Sequence, residues 1–239
     1  MGEGIEYSAS DRRVWAKLFE AHVTNMEGAL CPALIAGFEA LALRPDELPT
    51  CAQLSRELRR TTGWATEPVA GLIPVDAFFG MLSRRQFPIN LHVRSSDALG
   101  FSMVPDLFHE VGHCAMLMNS SFAEFAQGLG QLAMRYQSSE AGALCEKLYW
   151  FTAEVGLLAD EAGPRALGAN FLSSQSEREN LRSGAAEVRR LDIAELDAHE
   201  LDIFRLQPRY YLFDDIEQLA GTWLPALERD LVRREERCA

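Results

Sequence analysis

Residues 104–114, VPDLFHEVGHC, constrain this chain more than any other stretch, because they set two imidazoles beside two carboxylates. On a helix His109 and His113 stand at i and i+4, about 40° apart around the axis, so both reach one ion. Further along, YWFTAEVGL holds a lone Glu154 in an otherwise aromatic and apolar run. A charge in such a place is costly unless it is paired or bound to a metal. Two histidines and one distant carboxylate make a facial triad, which leaves open positions on non-haem iron(II). The fold must therefore bring two separate helices together around one point.

Read alone, HEVGH also fits the H-E-x-x-H pattern of zinc peptidases, in which the glutamate is the general base. Short motifs of this kind arise by chance, and context separates the readings. Here a third ligand candidate lies on another apolar helix, and Asp106 precedes the first histidine. Asp106 is expected to orient His109 through its second ring nitrogen, as metal-bound histidines usually require. The other histidines read differently. His22 sits on a helix stripe as a packing residue, His92 alternates along a strand, and His199 stands in an acidic surface segment. Cys114 points about 100° away from its neighbour His113 and belongs beside the site or in the core. Tyr149, Trp150 and Phe151 read equally well as core or as the lining of an aromatic pocket.

Helical periodicity dominates the chain. It predicts helices over residues 11–27 with Ser10 as N-cap, over 31–43 with Pro32 in the first turn, and over 54–60. TGWATEPVAGLIP, with its glycines and prolines, reads as an irregular loop, followed by a helix over 76–84. FPINLHVR at 87–94 alternates as a strand. Helices are expected over 105–118, 122–136, 140–158, 187–195 and 215–234. ALGANFLSS reads as loop or strand, and PRYYLFDD as a second strand. The expected fold class is mainly α with a few short strands (α+β), in a single domain over residues 1–239 with a flexible tail at 1–9.

Net charge is −12, from 23 basic and 35 acidic residues, which argues against a nucleic-acid surface. No long uncharged apolar stretch points to a membrane span, and the N-terminus lacks a secretory pattern, so a cytoplasmic location is expected. The five cysteines, at 31, 51, 114, 145 and 238, show no CxxC pair and read as reduced thiols.

Several segments in one order resemble the pterin-dependent aromatic amino acid hydroxylases, in particular their bacterial phenylalanine-hydroxylating branch. TGWATEPVAGLIP and FFGMLSRRQFPINLHVR resemble the family's pterin loop with its following helix and strand. PDLFHEVGH resembles the iron-histidine motif, LYWFTAEVGL the iron-glutamate segment, LGANFLSSQSE the substrate-side loop, and YYLFDDIEQL the closing strand and helix. The resemblance covers nearly the whole chain and implies the family's single-domain catalytic fold.

It further implies Fe(II) on His109, His113 and Glu154, and a tetrahydropterin (tetrahydrobiopterin or similar) held by Gly71, Leu72, Phe78, Glu110 and Tyr149. It implies that Arg94 and Ser173 hold the α-carboxylate of an aromatic amino acid, with Ser102, Pro105 and Trp150 around the rest of that substrate. The implied reaction hydroxylates the ring with dioxygen. The implied substrate is phenylalanine-like, with tryptophan and an altered ring position left open. The animal relatives' regulatory and oligomerisation segments have no counterpart here, which implies a monomer or weak homodimer.

Four departures stand out. The family carries one more residue between its histidines, the proline after the second histidine is replaced by Ala115 following Cys114, a substrate-loop glycine is Asn170, and a glutamate is Val104. The shorter spacing suits a regular helix, and Asn170 narrows the substrate pocket. Two alternatives remain at this level: a zinc hydrolase with Glu110 as base, and an inactive relative that binds an amino acid or pterin.

Overall fold

The computed structural model describes residues 6–23, 28–99, 105–136 and 139–238. Ser8, not Ser10, opens the first helix, α1 (Ala9–Val23). Its Oγ accepts the Asp11 N–H at 3.2 Å, and the Asp11 carboxylate accepts the Ser8 N–H at 2.8 Å. This reciprocal cap satisfies donors that the first turn leaves open. Residues 8 and 9, which the sequence assigns to a flexible tail, thus belong to the helix and its cap, and Tyr7 packs against the core. Helix α1 buries Val14, Trp15, Leu18 and His22. Helix α2 (Pro32–Ala40) starts at its proline as expected. Helix α3 (Cys51–Thr61) begins three residues before the predicted Leu54, because Thr50 and Gln53 form another capping box there.

The segment read as an irregular loop contains a strand, β1 (Ala65–Val69). After helix α4 (Val75–Leu82), β1 pairs in parallel with β2 (Gln86–Asn90). Two strands leave Pro68 on an edge, where its missing N–H is harmless, so a turn-like composition hides a strand. Strand β2 stops at Asn90, and residues 91–94 leave the sheet. The last four β2 residues are all buried, so the period-two pattern did not mark a solvated face.

Helix α5 (Leu107–Leu117) is buried at every residue, including both histidines and Glu110. A helix buried on all sides belongs inside a domain, and α2, α3, β2, α6 (Ser120–Arg135) and α8 (Ala169–Ser173) surround this one. Of these, α6 follows directly, capped by Asn119. Helix α7 (Ser139–Tyr149) then widens into a π-helical turn, Trp150–Glu154, where one continuous helix is predicted.

The remaining chain builds a small sheet. Strands β3 (Leu157–Leu158) and β4 (Arg165–Ala166) precede α8 (Ala169–Ser173) and α9 (Gln175–Ser183). ALGANFLSS is therefore a short strand end and a helix, not loop or strand alone. Strand β5 (Glu187–Arg190) replaces the first half of a predicted helix, and α10 (Ile193–Ala198) keeps the second half. Its EVRR sequence is solvent-facing, and pairing with β6 (Arg209–Phe213) makes it a strand. The order is β4-β3-β6-β5, with β6 parallel to both neighbours. A second π-helical turn, Leu219–Trp223, leads into α11 (Leu224–Cys238).

His22 packs against Phe108 as expected, but His199 does not lie on the surface. It is buried against Phe151 and Tyr211. Cys31, Cys51, Cys114 and Cys145 are free thiols. Among the described residues no helix is long and apolar enough to cross a membrane.

Phe108 locks α5 to α1, with its ring 5.5 Å from Trp15 and 5.5 Å from His22. Replacing Phe108 by Ala should cost about 3–5 kcal/mol of stability, because the neighbours cannot fill the void. Urea unfolding monitored by tryptophan fluorescence measures this, and a loss under about 1 kcal/mol would contradict the packing argument.

Candidate metal centre

Asp106 starts α5 by accepting the His109 N–H at 3.1 Å. The regular helix that follows carries His109 and His113 on one face, and their Nε2 atoms lie 3.1 Å apart. The π-helical turn delivers the third donor: Glu154 Oε1 lies 3.0 Å from His113 Nε2, and Oε2 lies 3.3 Å from His109 Nε2. The turn closes with a Val155 N–H to Trp150 carbonyl bond of 2.9 Å. Gly168 presses on this segment from behind, since a Cβ there would sit 2.0 Å from the Glu154 carbonyl oxygen.

The donor set points to a cation. Three ligands bound at right angles about 2.1 Å from one ion lie about 3.0 Å apart, close to the separations seen. Each imidazole has its other nitrogen engaged: His109 Nδ1 meets Ser173 Oγ at 2.9 Å, and His113 Nδ1 meets Tyr149 Oη at 3.3 Å. With the ring protons on those nitrogens, both Nε2 lone pairs face the carboxylate, an arrangement that repels itself without a positive charge. Glu154 Oε2 is buried and makes no well-directed hydrogen bond. A buried carboxylate oxygen without a protein partner is costly unless a cation or another donor meets it. The shorter histidine spacing thus converges on a regular helix.

Burial raises the Glu154 carboxyl, but the two imidazoles outweigh it and hold it well below the ordinary range. Burial lowers the His109 imidazole, while Glu154 overrides this and holds it above the usual histidine value. Glu110 is pushed up by burial, with the histidines and Asn90 pulling back.

A cavity of about 320 Å³ opens from the triad. All three candidate ligands border it, as do Gly71, Leu72, Phe78, Glu110 and Tyr149. Pro105 and Trp150 line it too, which settles the aromatic run: Tyr149 and Trp150 face the cavity, and Phe151 is core. Phe78 meets Tyr149 edge-on at 4.9 Å. Arg94 and Ser173 do not border the cavity. They lie behind His109, where Arg94 Nη1 donates to the Ser173 carbonyl at 2.9 Å. Ser102 and Val104 fall outside the described residues.

Asp106 does not touch the His109 ring, contrary to expectation, and Ser173 does. Asp106 instead takes three bonds from Arg94, at 2.8 Å from Nε, 2.7 Å from Nη2 and 3.2 Å from the backbone N–H. Burial alone would raise its pKa, but the guanidinium holds the carboxyl below its ordinary value. A buried fork of this kind leaves Asp106 no lone pair aimed at the imidazole, and its remaining acceptor capacity caps the helix. The sequence reading also passed over Asn90, Glu146, Ile203 and Phe204 at the cavity. Asn90 gave a signal: a polar residue between Ile89 and Leu91 in a strand that proves buried on both faces.

A regular ligand helix, a π-helical turn carrying the third ligand, and an apolar cavity beside them define a non-haem metal enzyme of mixed α+β fold. The profile of the biopterin-dependent aromatic amino acid hydroxylases matches residues 3–231, and the chain belongs to that family. Phenylalanine-4-hydroxylase of Pseudomonas aeruginosa is 34% identical over 237 residues, covering 96% of this chain and 88% of that one. The apo cold-active phenylalanine hydroxylase of Colwellia psychrerythraea superposes with a TM-score of 0.89 at 30% identity, covering 98% and 91% of the two chains. The Chromobacterium violaceum phenylalanine hydroxylase, solved with iron(III) and oxidised 7,8-dihydrobiopterin, gives 0.87 at 31% identity, covering 95% of this chain and 84% of that one.

Two outcomes follow from the ligand geometry. Ser173→Ala removes the hydroxyl on His109 Nδ1 but keeps the carbonyl that Arg94 uses, so metal affinity should fall about 10–100-fold with little change in stability. Competition with a chelator reads this, and unchanged affinity would remove Ser173 from the site. Glu154 favours the protonated form of His109, and a proton competes with a metal ion for the same Nε2. Affinity should therefore fall as pH falls, and metal added to the metal-free protein in weak buffer should release acid.

Proposed function

We propose that this chain is a monooxygenase that binds iron(II) on His109, His113 and Glu154 and uses a tetrahydropterin to hydroxylate the ring of phenylalanine or a closely similar amino acid. One observation carries the reading: three donor atoms within 4.8 Å of one another, one of them orphaned, at the floor of a cavity walled by the family's matched segments. The relatives named phenylalanine-4-hydroxylase support the substrate, and the iron in the Chromobacterium structure supports the metal.

Iron(II) and a reduced pterin together supply the electrons and open coordination positions by which dioxygen is activated for ring hydroxylation. The chain's part is binding and orientation. Leu72, Phe78 and Tyr149 offer apolar and aromatic faces to a flat heterocycle, and Glu110 offers an acceptor for its N–H groups. Trp150 and Pro105 are assigned to the substrate ring, and Asn170 narrows that side. Arg94 and Ser173 are assigned to the α-carboxylate on the family resemblance, although neither borders the cavity among the described residues. Among the described residues three of the five guanidinium N–H groups of Arg94 are engaged, by Asp106 and Ser173, and the other two suit a carboxylate. The apolar lining keeps water from the reacting atoms.

The hydrolase alternative, with Glu110 as base, gives way to the family match. The inactive-binder alternative is decided by turnover.

The deciding experiment is anaerobic loading with iron(II), then dioxygen and tetrahydrobiopterin with phenylalanine, tyrosine or tryptophan, products being read by mass and NMR. A ring-hydroxylated phenylalanine is expected, and the absence of both hydroxylated product and protein-dependent pterin oxidation would leave only a binding protein. Glu154→Ala should lose metal retention and turnover together, and normal turnover in that variant would refute the triad. Arg94→Lys keeps a charge for Asp106 but loses the planar fork, so KM for the amino acid should rise about 10–100-fold while KM for pterin stays within about twofold. Equal losses for both ligands would remove Arg94 from substrate binding.

A further inference from the structure

Asn90 sits at the end of β2, buried, with each part of its amide on a different functional segment. Its Nδ2 donates to Glu110 Oε1 at 2.9 Å, and its backbone N–H donates to the same oxygen at 3.1 Å. Its Oδ1 accepts the Gly71 N–H at 2.7 Å. A carboxylate only accepts and a backbone N–H only donates, so the neighbours determine which way the amide faces. Gly71 has φ +66, the left-handed region, and a Cβ there would meet nothing. The turn thus needs glycine for its backbone conformation and not for space.

We infer that Asn90 is a positioning residue that joins the Gly71–Leu72 turn and the Glu110 carboxylate into one unit, so that a pterin meets both cavity walls already aligned. This rests on the pterin-binding role proposed for those residues. Asn90 occupies Glu110 Oε1 with two donors and leaves Oε2, which takes no hydrogen bond among the described residues, for the N–H groups of a flat heterocycle. The same amide holds the turn that carries Leu72, a residue 59% exposed at the cavity edge. Without the amide, the turn and the carboxylate move independently, and binding must order them. The role demands both polarities at once. An aspartate would set oxygen against the Glu110 carboxylate, and an alanine would leave Gly71 N–H without this partner.

The test uses the full chain loaded with iron(II) under anaerobic conditions, as parent, Asn90→Ala, Asn90→Asp and Asn90→Ser. Calorimetry with 7,8-dihydrobiopterin and separately with phenylalanine gives both affinities, and hydrogen exchange follows the amides of residues 70–73. Losing a buried hydrogen-bonded partner should weaken dihydrobiopterin binding about tenfold or more in Asn90→Ala, and further in Asn90→Asp. Phenylalanine affinity and iron content should stay within about twofold, while exchange at 70–73 accelerates. Unchanged dihydrobiopterin affinity overturns the inference, and so does an equal loss for both ligands, which would mark general damage. If the alanine and aspartate forms fail to fold, Asn90→Ser carries the same comparison. Should the parent bind no dihydrobiopterin, the cofactor reading falls and exchange decides the latch: unchanged protection at 70–73 in Asn90→Ala overturns it.

Discussion

Two imidazole nitrogens and a carboxylate brought face to face in a water-poor interior repel one another unless a cation stands between them. The rest of the structure answers that demand. The ligand helix is buried on every side, so its histidines cannot turn to solvent, and their outer nitrogens are tied to Ser173 and Tyr149. Glu154 arrives on a π-helical turn, a form that is rare and recurs at functional sites. Its extra residue in the turn re-aims a side chain that a continued α-helix would carry elsewhere. The tight seat of Gly168 against the Glu154 carbonyl keeps the turn in place.

Around this centre the charges form a connected set. Arg94 binds Asp106, Asp106 caps the ligand helix, and Arg94 also holds the carbonyl of the residue whose hydroxyl supports His109. A buried ion pair of this kind adds little net stability, because desolvation offsets the attraction. Its contribution is geometric: whatever moves Arg94 moves the helix start and the ligand's support together. On the opposite wall Asn90 makes a corresponding link between the glycine turn and Glu110. Two hydrogen-bonded units thus support the cavity-lining residues, one behind His109 and one at Glu110.

Much of this was legible in the residues. The helix with His109 and His113, the apolar run with Glu154, and the strand around Tyr210 all appear where periodicity places them. The losses have physical causes. Strand β1 hid in a Pro-containing segment because an edge strand tolerates what a central one does not. Strand β5 looked helical because EVRR carries no apolar alternation and is a strand only through β6. Asp106 was matched to the wrong partner, since proximity in sequence favoured His109 and only the return of the chain through Arg94 supplied a better-matched cation.

What the sequence by itself determined is the donor set and its spacing. An α-helix places residues four apart on one face whatever surrounds it, and an acid in an apolar run requires a counter-charge in any fold that buries it. Only the tertiary structure decided which oxygen faces which nitrogen, that Ser173 and not Asp106 supports His109, and that Asn90 joins two walls. Those relations depend on contacts between segments distant along the chain, such as Gly71 with Asn90 or His109 with Ser173. Local pattern carries no information about such pairings, because a hydrogen bond is settled by where two backbones come to rest and not by the residues beside either one.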